Sequence, residues 1–201
     1  MKKLLFVLIL IGLSFYIIRC GHVPAIYYYR IDYELPKPDS LNSVIPITLG
    51  IKEFETDVIY KGDKIVYRNS PYEVQYYHYR RWVAPPRKLV KEKILEQLKA
   101  SGDFDNVVSM SNSYKVDYIL SGKIKAFEEW DQADSWYGIV TIAFELYRID
   151  TEEVVWEDVF SESTKALKRE PIEVIKAIST SLQKVVEMAR IEIKQKLRSH
   201  K

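Results

Sequence analysis

The sequence predicts an α+β fold: a single domain with a mainly antiparallel sheet and two helices packed on one of its faces. Three observations predict it. Apolar residues alternate with polar ones through several extended segments, as at Val140, Ile142, Phe144 and Leu146, the period of a strand with one buried face. Two stretches instead carry apolar residues at helical spacing, one after Pro85-Pro86 and one near the C-terminus. A meander of strands with only two helices implies that the helices lie on one side of the sheet.

The N-terminal segment precedes the domain. Met1-Lys2-Lys3 is followed by Leu4 to Ile18, which carries no charge, and then by Arg19 and Cys20, the one cysteine of the chain. This is the layout of a secretory signal peptide. As a helix the apolar run spans ~22 Å, short of the roughly 30 Å hydrocarbon core of a bilayer, so processing fits better than spanning. A cysteine at its end suggests a bacterial lipoprotein, cleaved there and acylated on Cys20. On that reading residues 1–19 are the signal peptide, 20–26 a lipidated tether and 27–201 the folded domain. Such cleavage sites normally carry Gly, Ala or Ser where Arg19 stands. An uncleaved anchor with an incidental Cys20 is therefore the alternative, and either form is held outside the cytoplasm. Gly21, where an aspartate would signal retention, points to the periplasmic face of the outer membrane.

Beyond the tether, prolines at 24, 36, 38 and 46 punctuate a turn-rich region with one strand, Tyr27 to Tyr33. Ile47 to Phe54 reads as a second strand. Lys61-Gly62-Asp63-Lys64 is a turn signal between Val58–Tyr60 and Ile65–Arg68 and predicts a hairpin. Tyr72 to Trp82 is extended and aromatic. Pro85-Pro86 opens a helix with Val90, Ile94, Leu95 and Leu98 on its apolar side, and Ser101-Gly102 closes it. Three long strands follow. Val116 to Phe127 places Tyr118, Leu120, Ile124 and Ala126 on one face. Ile139 to Ile149 and Val154 to Phe160 are joined by Asp150-Thr151-Glu152, which makes them antiparallel neighbours. Pro171 to Arg198 is one helix with a stripe of Ile178, Leu182, Val186, Ala189, Ile193 and Leu197.

Composition narrows the function. The chain has 30 basic and 28 acidic residues; without Lys2, Lys3 and Arg19 the balance is 27 to 28. No broad basic field is available for nucleic acid or anionic lipid. A single cysteine excludes an internal disulfide. The fifteen tyrosines suit half-buried strands and also protein interfaces.

Reactive constellations are not evident. His22, His78 and His200 are far apart in sequence, and no close set of His, Cys and carboxylates has the spacing of a zinc site. Neither a GxSxG elbow nor a phosphate-cradling glycine loop occurs. The expectation is no enzyme, no metal and no cofactor. Glu128 to Asp134 groups four carboxylates without the glycine or the alternating oxygens of a calcium loop, and reads as a solvated loop between strands. Gln75 to Trp82 interleaves aromatics with arginines. Stacking on bases conflicts with an export signal, which leaves a strand offering one face to a partner. Tyr76, Tyr77, His78, Tyr79, Arg80 and Trp82 are the candidate contact residues, although Trp82, next to the helix start, is better placed to fill the groove between the first helix and the sheet.

The segment Ile65-Val66-Tyr67-Arg68, then Glu73-Val74, then Tyr79-Arg80-Arg81-Trp82-Val83-Ala84-Pro85-Pro86 resembles the ABC-type transport auxiliary lipoproteins, a family that includes the outer-membrane lipoprotein of the paraquat-inducible system. Tyr28-Tyr29-Arg30-Ile31, Leu49-Gly50-Ile51 with Phe54, and Asp117-Tyr118-Ile119-Leu120 with Phe127 are similar to further family segments in the same order. Val83, where the family often has alanine, and Arg19 depart from the pattern. The resemblance implies a non-catalytic auxiliary or docking subunit of a lipid transport system. Its partners would be an MCE-domain protein that spans the periplasm and an inner-membrane permease and ATPase, with a homo-oligomer as a further possibility. The competing readings are a lipid-binding shuttle with a deep apolar cavity, an outer-membrane or cell-wall assembly accessory lipoprotein, and an envelope hydrolase.

Overall fold

The computed structural model describes residues 24–38, 44–110 and 115–199. The signal-peptide segment, Cys20, His22 and His200 lie outside the described residues. The strands are β1 (Tyr27–Tyr29), β2 (Ile45–Ile51), β3 (Glu55–Thr56), β4 (Lys64–Arg68), β5 (Gln75–Trp82), β6 (Phe104–Ser109), β7 (Tyr118–Gln132), β8 (Ser135–Arg148) and β9 (Glu153–Lys165). The helices are α1 (Pro86–Ser101) and α2 (Pro171–Ser199).

One long strand organises the sheet. β7 pairs along one edge with β8, antiparallel and nearly end to end, and β8 pairs in turn with β9. At about 3.3 Å per residue β7 is roughly 50 Å long, more than any one of its other neighbours can cover. Three short strands tile the opposite edge of β7 in sequence, all parallel to it: β2 at Tyr118–Leu120, β3 at Lys123–Ile124 and β4 at Glu128–Trp130. β6 adds to β2, β5 to β4 and β1 to β5. The sheet is therefore mixed rather than mainly antiparallel in its connections, with five parallel pairings of eight. Alternation reports which face is buried and is the same in both directions. Direction is set by the connections, and the long excursion through β5 and α1, which separates β2 from β6 and β4 from β7, permits parallel pairings.

Both helices lie on one face, as expected. Pro86 supplies the first turn of α1, and Gly102 ends the helix in the left-handed conformation (φ 66°) that glycine adopts without strain. Val90, Ile94 and Leu98 are buried, and Leu95 sits at the margin. The whole predicted stripe of α2 is buried. It approaches β8 closely at Gly138, where a Cβ would stand 2.3 Å from the backbone nitrogen of Ile178. Ser181 Oγ donates to the Gly138 carbonyl at 2.7 Å across the same contact. Leu49, Ile51, Leu120, Ile124, Phe127, Val140, Ile142, Phe144 and Leu146 complete the core from the sheet side.

Four local expectations are corrected. Strand β1 is short: after Tyr29 the chain crosses the helices, held by Asp32 N–H to Ser179 Oγ (3.3 Å) and by Gln183 Nε2 to the Glu34 carbonyl (2.7 Å). Val58–Tyr60 is a turn of 3-10 helix, not half of a hairpin, and it turns Tyr60 inward until its ring is buried. The hairpin is instead β4–β5. The pairing of β7 with β8 shifts between Ile124 and Ala126, so a bulge exchanges the two faces and Phe127, not Ala126, joins the core. Finally, Glu128, Glu129 and Asp131 are not in a solvated loop, because β7 continues to Gln132 and turns through two residues only. An eleven-residue gap between Phe127 and Ile139 is long for a hairpin connection of two to about five residues, and that was the available signal.

Candidate docking edge

Two buried carboxylates on β7 carry the aromatic strands above them. Neighbours on a strand point to opposite faces, so Glu128 and Glu129 serve different sides. Glu128 accepts a hydrogen bond from Tyr60 Oη (2.6 Å) and is ion-paired with Arg68, whose guanidinium lies 5.3 Å over the Trp130 ring. Glu129, on the helix side, accepts from Tyr77 Oη at 3.0–3.1 Å. Burial pushes the Glu129 carboxyl up to about 8, aided by a hydrogen bond and the charge of Asp131, while Tyr77 and Arg80 act in the opposite sense. Burial and then Glu129 push the Tyr77 phenol above its ordinary range; burial and Glu128 do the same for Tyr60.

Strand β5 does not run in step with β4. Between the pairs Val66–Tyr76 and Lys64–Arg81, β4 advances two residues and β5 five. The three extra residues form a wide bulge. Tyr77 and Trp82 are an odd number of positions apart and would face opposite ways in a regular strand. Across the bulge both turn inward. Trp82 is 1% exposed, with its ring 5.1 Å from that of Phe127. Between these two pins His78 and Tyr79 are exposed. Arg80 lies 5.2 Å over the Tyr77 ring, and Arg81 pairs with Asp63 at 2.9 Å. A cleft of about 370 Å³ opens beside the bulge, lined by Lys64, Tyr67, Tyr76, His78 and Arg81, among others. β1 covers β5 only at Arg80–Trp82.

The structure thus divides the expected contact residues. His78 and Tyr79 are exposed on a rim, with Tyr76 and Arg80 half-buried beside them. Tyr77 is committed to Glu129, and Trp82 is part of the core and drops out of any contact surface, because the bulge turns it under the sheet. Tyr60, Arg68, Glu129 and Asp131 support the rim and were not foreseen. Among the described residues no three His, Cys, Asp or Glu side chains come together as a metal site. No helix among them is long and apolar enough to cross a membrane. The arrangement presents a rigid aromatic and basic rim suited to binding.

A family model described as the ABC-type transport auxiliary lipoprotein component matches residues 33–189. No curated protein matches the chain in sequence. Among solved structures, a crystal structure from Xanthomonas campestris is 18% identical, covers 87% of this chain and 99% of its own, and superposes with a TM-score of 0.75. A second, of an uncharacterised protein, is 14% identical and covers 85% and 99% with a TM-score of 0.66. These two share the fold. PelC from Paraburkholderia phytofirmans, crystallised as a dodecamer, is 14% identical over 73% of this chain and 92% of its own. Its TM-score of 0.45 is too loose to bear on how this chain assembles.

Proposed function

The chain belongs to the family of ABC-type transport auxiliary lipoprotein components, and on that premise we propose that it is a non-catalytic docking subunit of an MCE-type lipid transport system. In this reading residues 1–19 are removed, residues 20–26 tether the domain, and a lipid on Cys20 holds it at the periplasmic face of the outer membrane. The partner is the MCE-domain protein that spans the periplasm, with the permease and ATPase beyond it.

The observation that carries the reading is the pinned bulge. Interface hot spots are rich in Tyr, Trp and Arg held rigidly, so that little freedom is lost on binding. His78, Tyr79 and Arg80 are held by Tyr77 on Glu129 at one end and by Trp82 in the core at the other, and Tyr76 by its pairing with Val66. A bulge on an outer strand also discourages indiscriminate strand pairing, which favours a side-chain-specific contact. The space between sheet and helices is occupied by buried side chains such as Phe127, Ile142, Phe144 and Leu182, which supports docking over carriage of a lipid inside the domain.

The test is co-purification of the MCE-domain protein with the tagged full-length chain from detergent-solubilised membranes. The double substitution His78→Ala, Tyr79→Ala lies outside the core and leaves the unfolding temperature unchanged. Loss of a hot spot of ~1.4 kcal/mol or more lowers partner recovery about tenfold. Undiminished recovery at an unchanged unfolding temperature refutes the bulge as the docking element.

A further inference from the structure

Four exposed apolar side chains cluster where the described chain begins. Ile26, Tyr27, Tyr28 and Val83 are 46, 59, 60 and 56% exposed. Tyr27 and Tyr28 lie on β1, an outermost strand of the sheet. Val83 N–H donates to the Tyr29 carbonyl at 2.8 Å, which sets Val83 at the far end of the same row. Consecutive residues of a strand point to opposite faces, so Tyr27 and Tyr28 flank the edge on both sides. A protein partner seated on one face of the sheet would use only one of them. A surface that meets the strand edge-on uses both.

The chain outside the structure says which surface that is. Seven Cα-to-Cα steps lead from Cys20 to Tyr27, and at no more than about 3.5 Å per step they reach ~25 Å. β1 is therefore held close to whatever bears the anchor, whereas β9 lies five strand spacings away, roughly 24 Å across the sheet. Tyrosine rings suit the headgroup level of a bilayer, apolar along the ring and polar at the tip, and long cations beside them extend toward water and phosphate. Arg30, whose side chain is largely exposed, stands next to the two rings in that role, whereas Arg80 is turned over the Tyr77 ring. The near-neutral charge of the domain points to burial of apolar surface, with no requirement for anionic lipid.

We infer that β1 is a bilayer-contact edge: Ile26, Tyr27, Tyr28 and Val83 rest in the headgroup zone of the leaflet that holds the anchor. The inference rests on the anchored reading above. It sets the sheet edge-on to the membrane and leaves the β5 bulge beside the lipid surface, where a conduit must deliver its cargo.

The test uses the full-length chain reconstituted in phosphatidylcholine vesicles. Tyr27→Cys, Val83→Cys and, on the opposite edge, Val159→Cys are each labelled with an environment-sensitive dye, with the protein carrying Cys20 alone as background. Nitroxide lipids labelled at the headgroup quench the dye at positions 27 and 83 at least about twofold more than at 159, because only the first two lie within the interfacial layer. The Val83→Cys result stands independently if Tyr27→Cys weakens β1. Equal quenching at all three positions, with the protein still in the vesicles, overturns the inference and leaves the anchoring intact. A blue shift at 27 and 83 without quenching means that a second copy or another protein covers β1, and also overturns it. Protein absent from the vesicles overturns the anchored reading and this inference together.

Discussion

Glu129 gives the fold a pH dependence whose sign can be worked out. Its carboxyl is buried beneath Tyr77 and beside Asp131, and its pKa is pushed up to about 8. In the unfolded chain a glutamate releases its proton near the usual value of ~4.3. Between those two pH values the folded protein binds one proton more than the unfolded one. Stability therefore falls as pH rises, being fully present below the unfolded pKa and lost as pH passes the folded one. One proton sets a ceiling of ~1.4 kcal/mol per pH unit, so the loss between pH 6 and 8 is at most ~3 kcal/mol. Glu129→Gln keeps the shape, stays neutral at every pH and has an amide that can donate to Asp131. Urea unfolding of the full-length protein and the variant at pH 6, 7 and 8 compares the two slopes directly, since all other titrating groups are shared. The variant loses most of the decline and is the more stable of the two at pH 8. Parallel declines would refute the assignment of this pH dependence to the buried Glu129 carboxyl.

The opposite face and the helix contact give two further expectations. Arg68→Met strands the buried Glu128 carboxylate beside Tyr60, a loss of about 3–5 kcal/mol; adding Glu128→Gln, which still accepts from Tyr60 Oη, recovers most of it. A double variant melting as low as the single one would show that packing, and not charge, is at stake. Gly138→Ala drives a methyl group into the backbone of α2 at Ala177–Ile178 and costs about 2–3 kcal/mol in thermal unfolding, whereas a loss below about 0.5 kcal/mol would mean that α2 has room to move.

Much of this organisation was legible in the chain because it depends on local period. The stripe Ile178, Leu182, Val186, Ala189, Ile193 and Leu197 specifies which side of α2 is buried whatever it packs against. The same holds for Val140, Ile142, Phe144 and Leu146 on β8, and for the proline start and glycine stop of α1. The candidate rim was legible only as composition. Tyrosines and arginines from Gln75 to Trp82 suggested an interface, but alternation alone would place Tyr77 and Trp82 on opposite faces.

Apolar periodicity, capping residues and the short uncharged run before Cys20 thus determined the fold class, the helices and the expected address, since each is set by residues within a turn or two of one another. Strand direction, the β5 bulge and the burial of Glu128 and Glu129 were decided by the tertiary structure. Each depends on a partner far off in the chain: β7 beside three separate short strands, Phe127 under Trp82, Arg68 and Tyr60 around Glu128. A carboxylate in a sequence has the same appearance in water and in a core. Whether it is buried is decided by long-range neighbours able to donate hydrogen bonds and supply opposite charge.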